Sequence, residues 1–337
     1  MDFKKTSLCR SFQKVPLEYI DIGAAGEVHS LIAPFAALSN CTSFEPSLDE
    51  REKLKKKLAK DNPFNEVTVL DVAIGEKSGR RAFYIAKNSV NSSIYQPNDE
   101  LIKRYGIQGL NIKKTVSIRM ESLDNIVFGK RNETNKRLGE YIKIDCQGAL
   151  NNVLKGAKRT IARRCVAVAC ELEFFNVYKN KNRFTESDEF LNRYGFRLYG
   201  LYPHYVSARN IDRFKYETEE RFLWADALYF KDPLDHSNKK MHFSKRDIET
   251  LLIVAIINGY YDFVFEIMDR FYSKNGSEIK RIKELVLSLA AKQKEAFEAD
   301  LNKLIRKAKK SSRNSYILAK KFIDKYKANN IVDFIRI

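Results

Sequence analysis

The segment Glu18-Tyr-Ile-Asp-Ile-Gly-Ala-Ala-Gly-Glu27 is the most informative part of this sequence. An apolar, β-branched run reaches Asp21, and a loop of small residues follows it, with glycines at positions 23 and 26. An amphipathic segment then begins at Glu27 and continues to Phe35. This order predicts a strand, a tight turn and a helix. Glycines in such a turn let the backbone approach a ligand closely, and the helix amino terminus behind them favours anionic groups.

The spacing of Asp21 and the two glycines distinguishes between cofactors. A nicotinamide-binding loop has the pattern Gly-x-Gly-x-x-Gly, whereas this loop has Asp-x-Gly-x-x-Gly. The acid would repel a pyrophosphate and would hold the ammonium of an amino-acid moiety. The pattern resembles motif I of the class I methyltransferases that use S-adenosylmethionine (SAM). The alternatives are a turn that needs two glycines for its shape alone and, more distantly because of Asp21, a nicotinamide dehydrogenase.

The composition predicts a folded protein with a sizeable core. The chain has 337 residues, of which 44% are hydrophobic, enough for one large domain or one domain plus an appendage. No signal peptide is visible after Met1, and the longest apolar run, Leu251–Ile257, is too short to span a bilayer. The five cysteines show no Cys-x-x-Cys spacing, which favours reduced thiols. We therefore expect a cytoplasmic protein.

The charge is strongly positive, with a formal net charge of +18. Residues 240–337 contain 21 Lys/Arg and 12 Asp/Glu residues, which is half of the total excess in less than a third of the chain. Such an excess favours nucleic acid, an anionic membrane surface or an anionic glycan as partner. Solvated faces of lysine-rich helices would produce the same number.

A further strand end carries an acidic residue, and the strand after it departs from a repeated βαβ order. Glu45 follows a short strand 24 residues after Asp21, a position from which a carboxylate reaches the hydroxyls of a ribose in a doubly wound sheet. The run Val67–Gly75 predicts a third strand. Glu76–Gly79 then predicts a hairpin turn, and Arg81–Ile85 its returning strand, where a repeated βαβ unit would have a helix.

The second informative segment is Tyr141-Ile-Lys-Ile-Asp145-Cys-Gln-Gly148, followed by an apolar strand that ends at Glu171 and Glu173. Asp145 and Glu171 thus come at the carboxyl ends of adjacent central strands, where open α/β sheets bind ligands. We predict that Asp145 deprotonates or orients an acceptor hydroxyl, with Glu171 as its partner. The two acids could instead hold a divalent cation or cap helices.

The ordered set of motifs over about residues 17–231 resembles the FkbM family of SAM-dependent methyltransferases. The matching segments are Asp21-Ile-Gly-Ala-Ala-Gly, Glu45-Pro46, Val72-Ala-Ile-Gly, Asn91-Ser-Ser, Ser122-Leu-Asp, Lys143-Ile-Asp-Cys-Gln-Gly-Ala, Val153-Leu-Lys-Gly-Ala, Glu171 and Ala225-Asp-Ala-Leu-Tyr-Phe. The resemblance implies a Rossmann-like α/β sheet with helices on both faces. It also implies methyl transfer to hydroxyls of sugars, glycans, lipids or polyketides.

The resemblance further implies a role for each matched position. The cofactor-binding residues would be Asp21, Gly23, Ala24 and Gly26 at the methionine end of SAM, Glu45 at the ribose, Asp71, Val72 and Ala73 at the adenine, and Ser92 and Ser93 at the mouth of the site. Asp145 would face the reacting centre.

Gln147 departs from the family pattern, which usually has Glu at this position. A second common Glu, three residues further on, is Leu150 or Asn151 here. Glutamine can orient a hydroxyl but cannot accept its proton. The metal content is therefore open, and a non-catalytic SAM-fold binding or scaffold protein is an alternative.

The segments Phe196–Tyr202 and Trp224–Phe230 predict the closing strand pair of the sheet. We predict that Tyr202 and His204 contact the substrate, with His204 in a loop as an alternative base. Beyond Pro233 the pattern predicts helices only, beginning with a capping box at Ser244 and Asp247. We expect a methyltransferase domain over residues 1–235 and a helical extension over 240–337. This extension could dock an acceptor or form a homo-oligomer.

Together these observations predict a SAM-dependent O-methyltransferase acting on a hydroxyl of a sugar, glycan or related metabolite. A ribose methyltransferase acting on nucleic acid is a second alternative, motivated by the charge.

Overall fold

The computed structural model describes residues 3–25, 30–129, 137–179, 184–208, 210–211, 219–272, 276–310 and 315–328. The strands in these ranges are Leu17–Ile22 (β1), Ser39–Phe44 (β2), Glu66–Leu70 (β3), Ala73–Ile74 (β4), Gly79–Ala86 (β5), Ile112–Glu121 (β6), Tyr141–Ile144 (β7), Ala167–Glu173 (β8), Phe196–Val206 (β9) and Arg221–Lys231 (β10). The α-helices are Ser7–Lys14 (α1), Leu48–Lys60 (α2), Asp99–Tyr105 (α3), Leu123–Phe128 (α4), Leu150–Gly156 (α5), Lys158–Arg163 (α6), Phe184–Arg193 (α7), Lys245–Ile257 (α8), Tyr261–Phe271 (α9), Ser277–Lys310 (α10) and Ser315–Ala328 (α11). Short 3₁₀ helices cover Phe3–Lys5, Ser30–Leu38, Ser89–Asn91, Gln108–Leu110 and His236–Asn238.

The main sheet has seven strands in the order β3-β2-β1-β7-β8-β10-β9. The pairs from β3 to β8 are parallel, and β10 runs antiparallel to both β8 and β9. The central strands β1 and β7 are buried along their whole length. Because parallel strands covered on both faces require apolar side chains in both directions, their sequences are apolar apart from Glu18, Asp21 and Lys143. The predicted α/β sheet and its closing strand pair are confirmed.

Helices cover both faces of this sheet, as predicted. Tyr19 and Tyr141 point to one face, where they share a hydrophobic core with α1, α8, α9 and the 3₁₀ helix Ser30–Leu38. Ile20 and Ile142 point to the other face, where α5, α6 and α7 supply the partner residues. The segment predicted to continue as a helix after Gly26 is thus a 3₁₀ helix from Ser30, and Pro34 within it lacks a backbone donor.

The first helices of the C-terminal region belong to the core of the sheet. Every residue from Ile248 to Ile257 is buried, and Phe263 stacks on Phe230 of β10 at 5.7 Å. The buried side chains of α10 end at Leu289. The predicted capping box at Ser244 and Asp247 is present at the start of α8. The division into residues 1–235 and 240–337 remains a prediction.

The predicted hairpin after the third strand is wrong. The run Val67–Gly75 divides between β3 in the main sheet and β4 in a separate three-stranded sheet of order β4-β6-β5. Strand β6 lies between the other two and pairs parallel with β4 and antiparallel with β5, so Met120 faces Ala73 on one side and Gly79 on the other. The ten residues of β6 offer hydrogen-bonding groups on both edges, and an alternating pattern does not encode which strand uses them.

The part of the chain that the structure describes has no helix with the length and hydropathy that a membrane span requires.

Candidate active site

Gly23 allows the loop after β1 to pass close to the end of β7. Its φ of +84° lies in the left-handed region, and a Cβ built on it would lie 1.9 Å from the backbone oxygen of Asp145. Both features exclude any other residue. The second glycine of the predicted loop, Gly26, lies outside the described residues.

Lys143 connects the ends of β1 and β7 beneath this loop. It faces Asp21 in the parallel ladder, and its Nζ lies 3.1 Å from Asp21 Oδ1 and 3.6 Å from Asp145 Oδ2. The same ammonium donates to the Gly23 carbonyl at 2.9 Å. Burial disfavours the charge on Lys143, but the attraction of Asp21 and Asp145 outweighs it and raises the pKa of Lys143 above its ordinary value.

Sequence reasoning missed Lys143 as a site residue. The available signal was a lysine inside the otherwise apolar strand Tyr141–Ile144, since a buried lysine is almost always paired. Asp21, predicted to bind the cofactor's ammonium directly, is fully buried and pairs with Lys143.

A cavity of about 630 Å³ opens at the carboxyl ends of β1, β2 and β7. This is the edge at which open α/β sheets bind ligands. Of the predicted site residues, its wall contains Gly23, Ala24, Glu45, Ala73, Ser92 and Asp145. The other predicted positions are not on this wall. Asp71 is exposed, Val72 is buried in the core, and Asp21, Ser93, Glu171, Tyr202 and His204 lie outside the lining.

Glu45 joins two loops at the cavity wall. One carboxylate oxygen accepts from the Ala25 N–H at 3.0 Å and the other from the Ser47 N–H at 2.7 Å. Burial raises the pKa of Glu45, while these two backbone hydrogen bonds act in the opposite direction. Glu45 therefore presents a fixed acceptor group between the loop after β1 and the loop after β2.

The two predicted serines brace loops rather than pointing together into the cavity. The Ser92 hydroxyl donates to the Ser89 carbonyl at 2.6 Å and accepts from the Ala86 N–H at 3.2 Å. The Ser93 hydroxyl, which is buried, donates to the Gln147 carbonyl at 2.6 Å. Ser93 thus connects the three-stranded sheet to the loop after β7.

Lys143 forms ion pairs with Asp21 and Asp145, and Asp145 is the exposed partner, with 37% of its side chain accessible. Its Oδ1 accepts from the Gln147 amide at 2.7 Å. The carbonyl oxygen of the same amide accepts from the Tyr178 hydroxyl at 2.8 Å. Asp145 is therefore both held in place and open to the cavity.

Glu171 lies on β8, the next strand of the sheet after β7. Its burial raises the pKa of its carboxyl well above the ordinary value, and the negative charges of Asp145, Glu173 and Asp226 act in the same direction. Glu171 faces Asp226 directly in the β8–β10 ladder. The predicted pairing of Asp145 with Glu171 thus extends into a larger group of carboxylates on one face of the sheet.

Tyr202 and His204 both lie on strand β9. The predicted closing strand reaches Tyr202, but the prediction of His204 in a loop is wrong. Asp226 faces Tyr202 in the β9–β10 ladder, and its Oδ2 lies 2.8 Å from His204 Nε2. His204 also stacks on Trp224 with ring centroids 5.4 Å apart. Because directly paired residues of a ladder share a face, Glu171, Asp226 and Tyr202 form a row across three strands.

No group of three or more His, Cys, Asp or Glu side chains in the described ranges has a geometry that could hold a metal ion. The alternative in which Asp145 and Glu171 bind a divalent cation gains no support from their surroundings.

A family model described as the methyltransferase FkbM domain matches residues 21–198, more than half of the chain. No curated protein matches the chain.

Three solved structures illustrate the resemblance, at low identity. The methyltransferase FkbM from Methylobacillus flagellatus KT is 16% identical with a TM-score of 0.35, and the match covers 64% of this chain but only 43% of that one. TrmK from M. capricolum, solved with S-adenosyl-homocysteine (SAH), is 9% identical with a TM-score of 0.33, covering 85% of this chain and 99% of that one. Precorrin-6y C5,15-methyltransferase from Geobacter metallireducens GS-15 is 13% identical with a TM-score of 0.32, covering 66% and 88%.

The family match spans the strands and loops that form the cavity, from the carboxylate at the end of β1 to strand β9. The chain therefore belongs to the FkbM methyltransferase family.

Proposed function

We propose that this protein is a SAM-dependent methyltransferase that methylates a hydroxyl of a sugar, glycan or related metabolite. The observation that carries the proposal is the cavity at the carboxyl ends of β1, β2 and β7, which lies within the family-specific segment and has Gly23, Glu45 and Asp145 on its wall.

The residues of this cavity fit SAM in two respects. Glu45 presents a carboxylate suited to the two ribose hydroxyls. Ala73, Ile74 and Phe83 supply an apolar wall for an adenine ring.

Asp21 takes a different role in this proposal from direct contact with the cofactor. It neutralises Lys143, and Lys143 in turn fixes the Gly23 carbonyl and lies beside Asp145. The Asp21–Lys143 pair therefore holds the loop that would receive the methionine end of SAM.

SAM supplies a methyl group on a positively charged sulfur, which leaves as a neutral thioether when the methyl is transferred. The protein must position the acceptor oxygen and remove its proton. Asp145 is suited to take this proton because its carboxylate lies on the cavity wall and is oriented by Gln147. Glu171 lies near Asp145 on the adjacent strand β8 and is its partner in this proposal.

The acceptor would lie along the row that starts at Asp145 and Glu171. Asp226, Tyr202 and His204 continue that row across β10 and β9, with Trp224 next to it. Carboxylates that accept hydrogen bonds from hydroxyls, together with aromatic faces, suit a carbohydrate. We therefore assign the substrate contacts to Tyr202 and His204.

Calorimetric titration with SAM and SAH tests the cofactor assignment. Wild-type protein should bind both at micromolar concentration, and Glu45→Gln should weaken binding about ten-fold through loss of a charged acceptor. Glu249→Gln is the matched control, because Glu249 is equally buried but bonds Ser11 at the amino-terminal helix. A wild-type protein that binds neither compound would contradict the proposal and favour the scaffold alternative.

Transfer of a labelled methyl group from SAM tests the acceptor class. The proposal expects label in neutral sugars or glycans and its loss in Asp145→Asn with SAH binding retained. Label in RNA instead would establish the nucleic-acid alternative suggested by the net charge.

A further inference from the structure

The loop after β7 contains two consecutive residues in the left-handed region, Gln147 with φ +49° and Gly148 with φ +84°. Glycine adopts this conformation readily, but glutamine does so rarely. Non-glycine residues in this region persist where surrounding contacts fix them, and they cluster at functional sites. Gln147 is held by contacts with Ser93, Asp145 and Tyr178.

The backbone of Gln147 is held from the small sheet. Its carbonyl accepts from the Ser93 hydroxyl at 2.6 Å. Ser93 is itself fixed, because its backbone exchanges hydrogen bonds with Tyr84 of β5 at 2.8 and 3.2 Å. The peptide that follows Cys146 is thus connected to a strand about sixty residues earlier in the chain.

Both ends of the Gln147 amide also have partners. Nε2 donates to Asp145 Oδ1 at 2.7 Å, and Oε1 accepts from the Tyr178 hydroxyl at 2.8 Å. Tyr178 is almost fully buried, and its hydroxyl also lies 3.0 Å from the Asn91 carbonyl. The amide therefore has one orientation, with its donor towards Asp145.

We propose that Gln147 is a positioning residue that directs the Asp145 carboxylate to the methyl-donor end of the cavity and stabilises its negative charge, and that Tyr178 fixes the Gln147 amide. This inference rests on the proposed function, because it places the methyl donor beside Asp145. Gln147 therefore acts on the reaction through its hydrogen bond to Asp145.

The charged and titratable groups around Asp145 agree with this assignment. Lys143 on β7 lies at the other carboxylate oxygen, 3.6 Å away, and Glu171 on β8 faces Asp145 from the adjacent strand. Cys146 and Tyr178 complete the surroundings. A neutral donor at Gln147 stabilises the carboxylate of Asp145, whereas an ionised glutamate there would add another carboxylate beside Asp145 and Glu171.

A glutamine at this position has a physical consequence. It supplies an N–H to Asp145 and an acceptor to Tyr178 at the same time, whereas an ionised glutamate would supply acceptors only.

Binding of two cofactor analogues tests the proposal without a known acceptor. SAH has a neutral thioether at the reacting position, and sinefungin has an amine-bearing carbon there. The ratio of their Kd values reports how strongly the protein prefers a cation beside Asp145. Calorimetry at pH 7.5 should give this ratio for the wild type, Gln147→Met, Tyr178→Phe and Asp145→Asn.

We expect Gln147→Met to reduce the preference for sinefungin about five- to ten-fold, towards the value of Asp145→Asn, with unchanged affinity for SAH. Tyr178→Phe should reduce it about two- to three-fold. Tyr229→Phe is the matched control, since it also removes a part-buried hydroxyl bonded at 3.0 Å, but to Asp188 on the opposite face of the sheet.

If Gln147→Met leaves the preference for sinefungin unchanged and still binds SAH, the positioning role is overturned. A parallel loss of SAH and sinefungin affinity also overturns it, because Gln147 would then only shape the cavity. A wild-type protein that binds neither analogue refutes the proposed function and this inference together. If Gln147→Met does not fold, as judged by its thermal transition, the result for Tyr178→Phe decides.

Discussion

Gly23 is a position at which the backbone of the site excludes every side chain. A Cβ there would lie 1.9 Å from the Asp145 carbonyl, and φ is +84°. We predict that Gly23→Ala lowers the free energy of unfolding by about 3 kcal/mol, through left-handed strain plus a displaced β7 end.

Gly106 provides the matched comparison for this prediction. It also has positive φ, +66°, but a Cβ there would meet nothing within 4 Å. Gly106→Ala should therefore cost only about 1 kcal/mol. Urea denaturation measures both, and equal losses would contradict the close approach at Gly23.

Lys143 is the charged residue on which the buried part of the site depends. Its ammonium lies between Asp21 and Asp145, and both Lys143 and Asp21 are buried. Lys143→Met would leave the Asp21 carboxylate buried without its ion-pair partner, so we expect a loss of about 3–5 kcal/mol in stability.

The double variant Lys143→Met, Asp21→Asn should recover more than half of that loss, because the uncompensated charge is then gone. Chemical denaturation of the two variants and the wild type measures the difference. Equal instability of the single and double variants would mean that packing, rather than charge, determines the effect.

The sequence predicts individual site residues only where a place at the end of a strand is enough to assign them to the site. Gly23, Glu45 and Asp145 follow strands directly, so the order of strands predicts that they meet. The Asp21–Lys143 pair depends on the register of two strands that lie more than a hundred residues apart. Gln147 and Tyr178 meet through an irregular loop, and no periodic pattern encodes such a contact.

Helix α6 contacts strand β10 at Lys231, at the ends of the strands that lie away from the cavity. Its ammonium donates to the carbonyls of Ile161 and Ala162 in the last turn of α6, at 2.7 and 3.2 Å. Burial lowers the pKa of Lys231 to about 8, despite these contacts. Between about pH 8 and the unfolded value of about 10.4, the unfolded state holds the proton and the folded state does not.

Stability should therefore rise with pH across that window, since the unfolded state binds more protons. We expect the advantage of wild type over Lys231→Met to increase by about 2 kcal/mol between pH 7.5 and 9.5. Urea denaturation at the two pH values measures it, with the exposed Lys155→Met as control. A constant difference between wild type and Lys231→Met would show that Lys231 is not the titrating group.

Element types were more predictable than element partners. Strands β1, β7 and β8 follow from apolar runs, and α8 follows from its capping box. The small sheet was not predicted correctly because β4 has only two residues and takes β6, more than thirty residues later, as its neighbour. Tertiary pairing of this kind leaves no local trace in the sequence.

The molecule as a whole divides its C-terminal region between core and surface. Helix α8 is buried on all sides, which its composition predicts, but the composition does not indicate the surface that buries it. The distal part of α10 is mostly exposed and packs against α11 through Phe297, Phe322 and Tyr326. Docking of an acceptor, of nucleic acid or of a second copy on these basic helices stays a prediction.

Two truncations measure where the folded unit ends. Removing residues 240–337 would expose the face of the sheet that α8 and α9 cover, so we expect a protein without a cooperative thermal transition. Removing residues 292–337 leaves every buried side chain of α10 in place, since these end at Leu289, and should preserve both the transition and the affinity for SAH within about two-fold. Circular dichroism and calorimetry compare the two with the full chain.

A cooperative transition in the shorter protein would mean that the sheet folds without α8, and that residues 240–337 form a separate domain. Loss of folding in the longer one would mean that the distal part of α10 and α11 supports the core, contrary to this expectation.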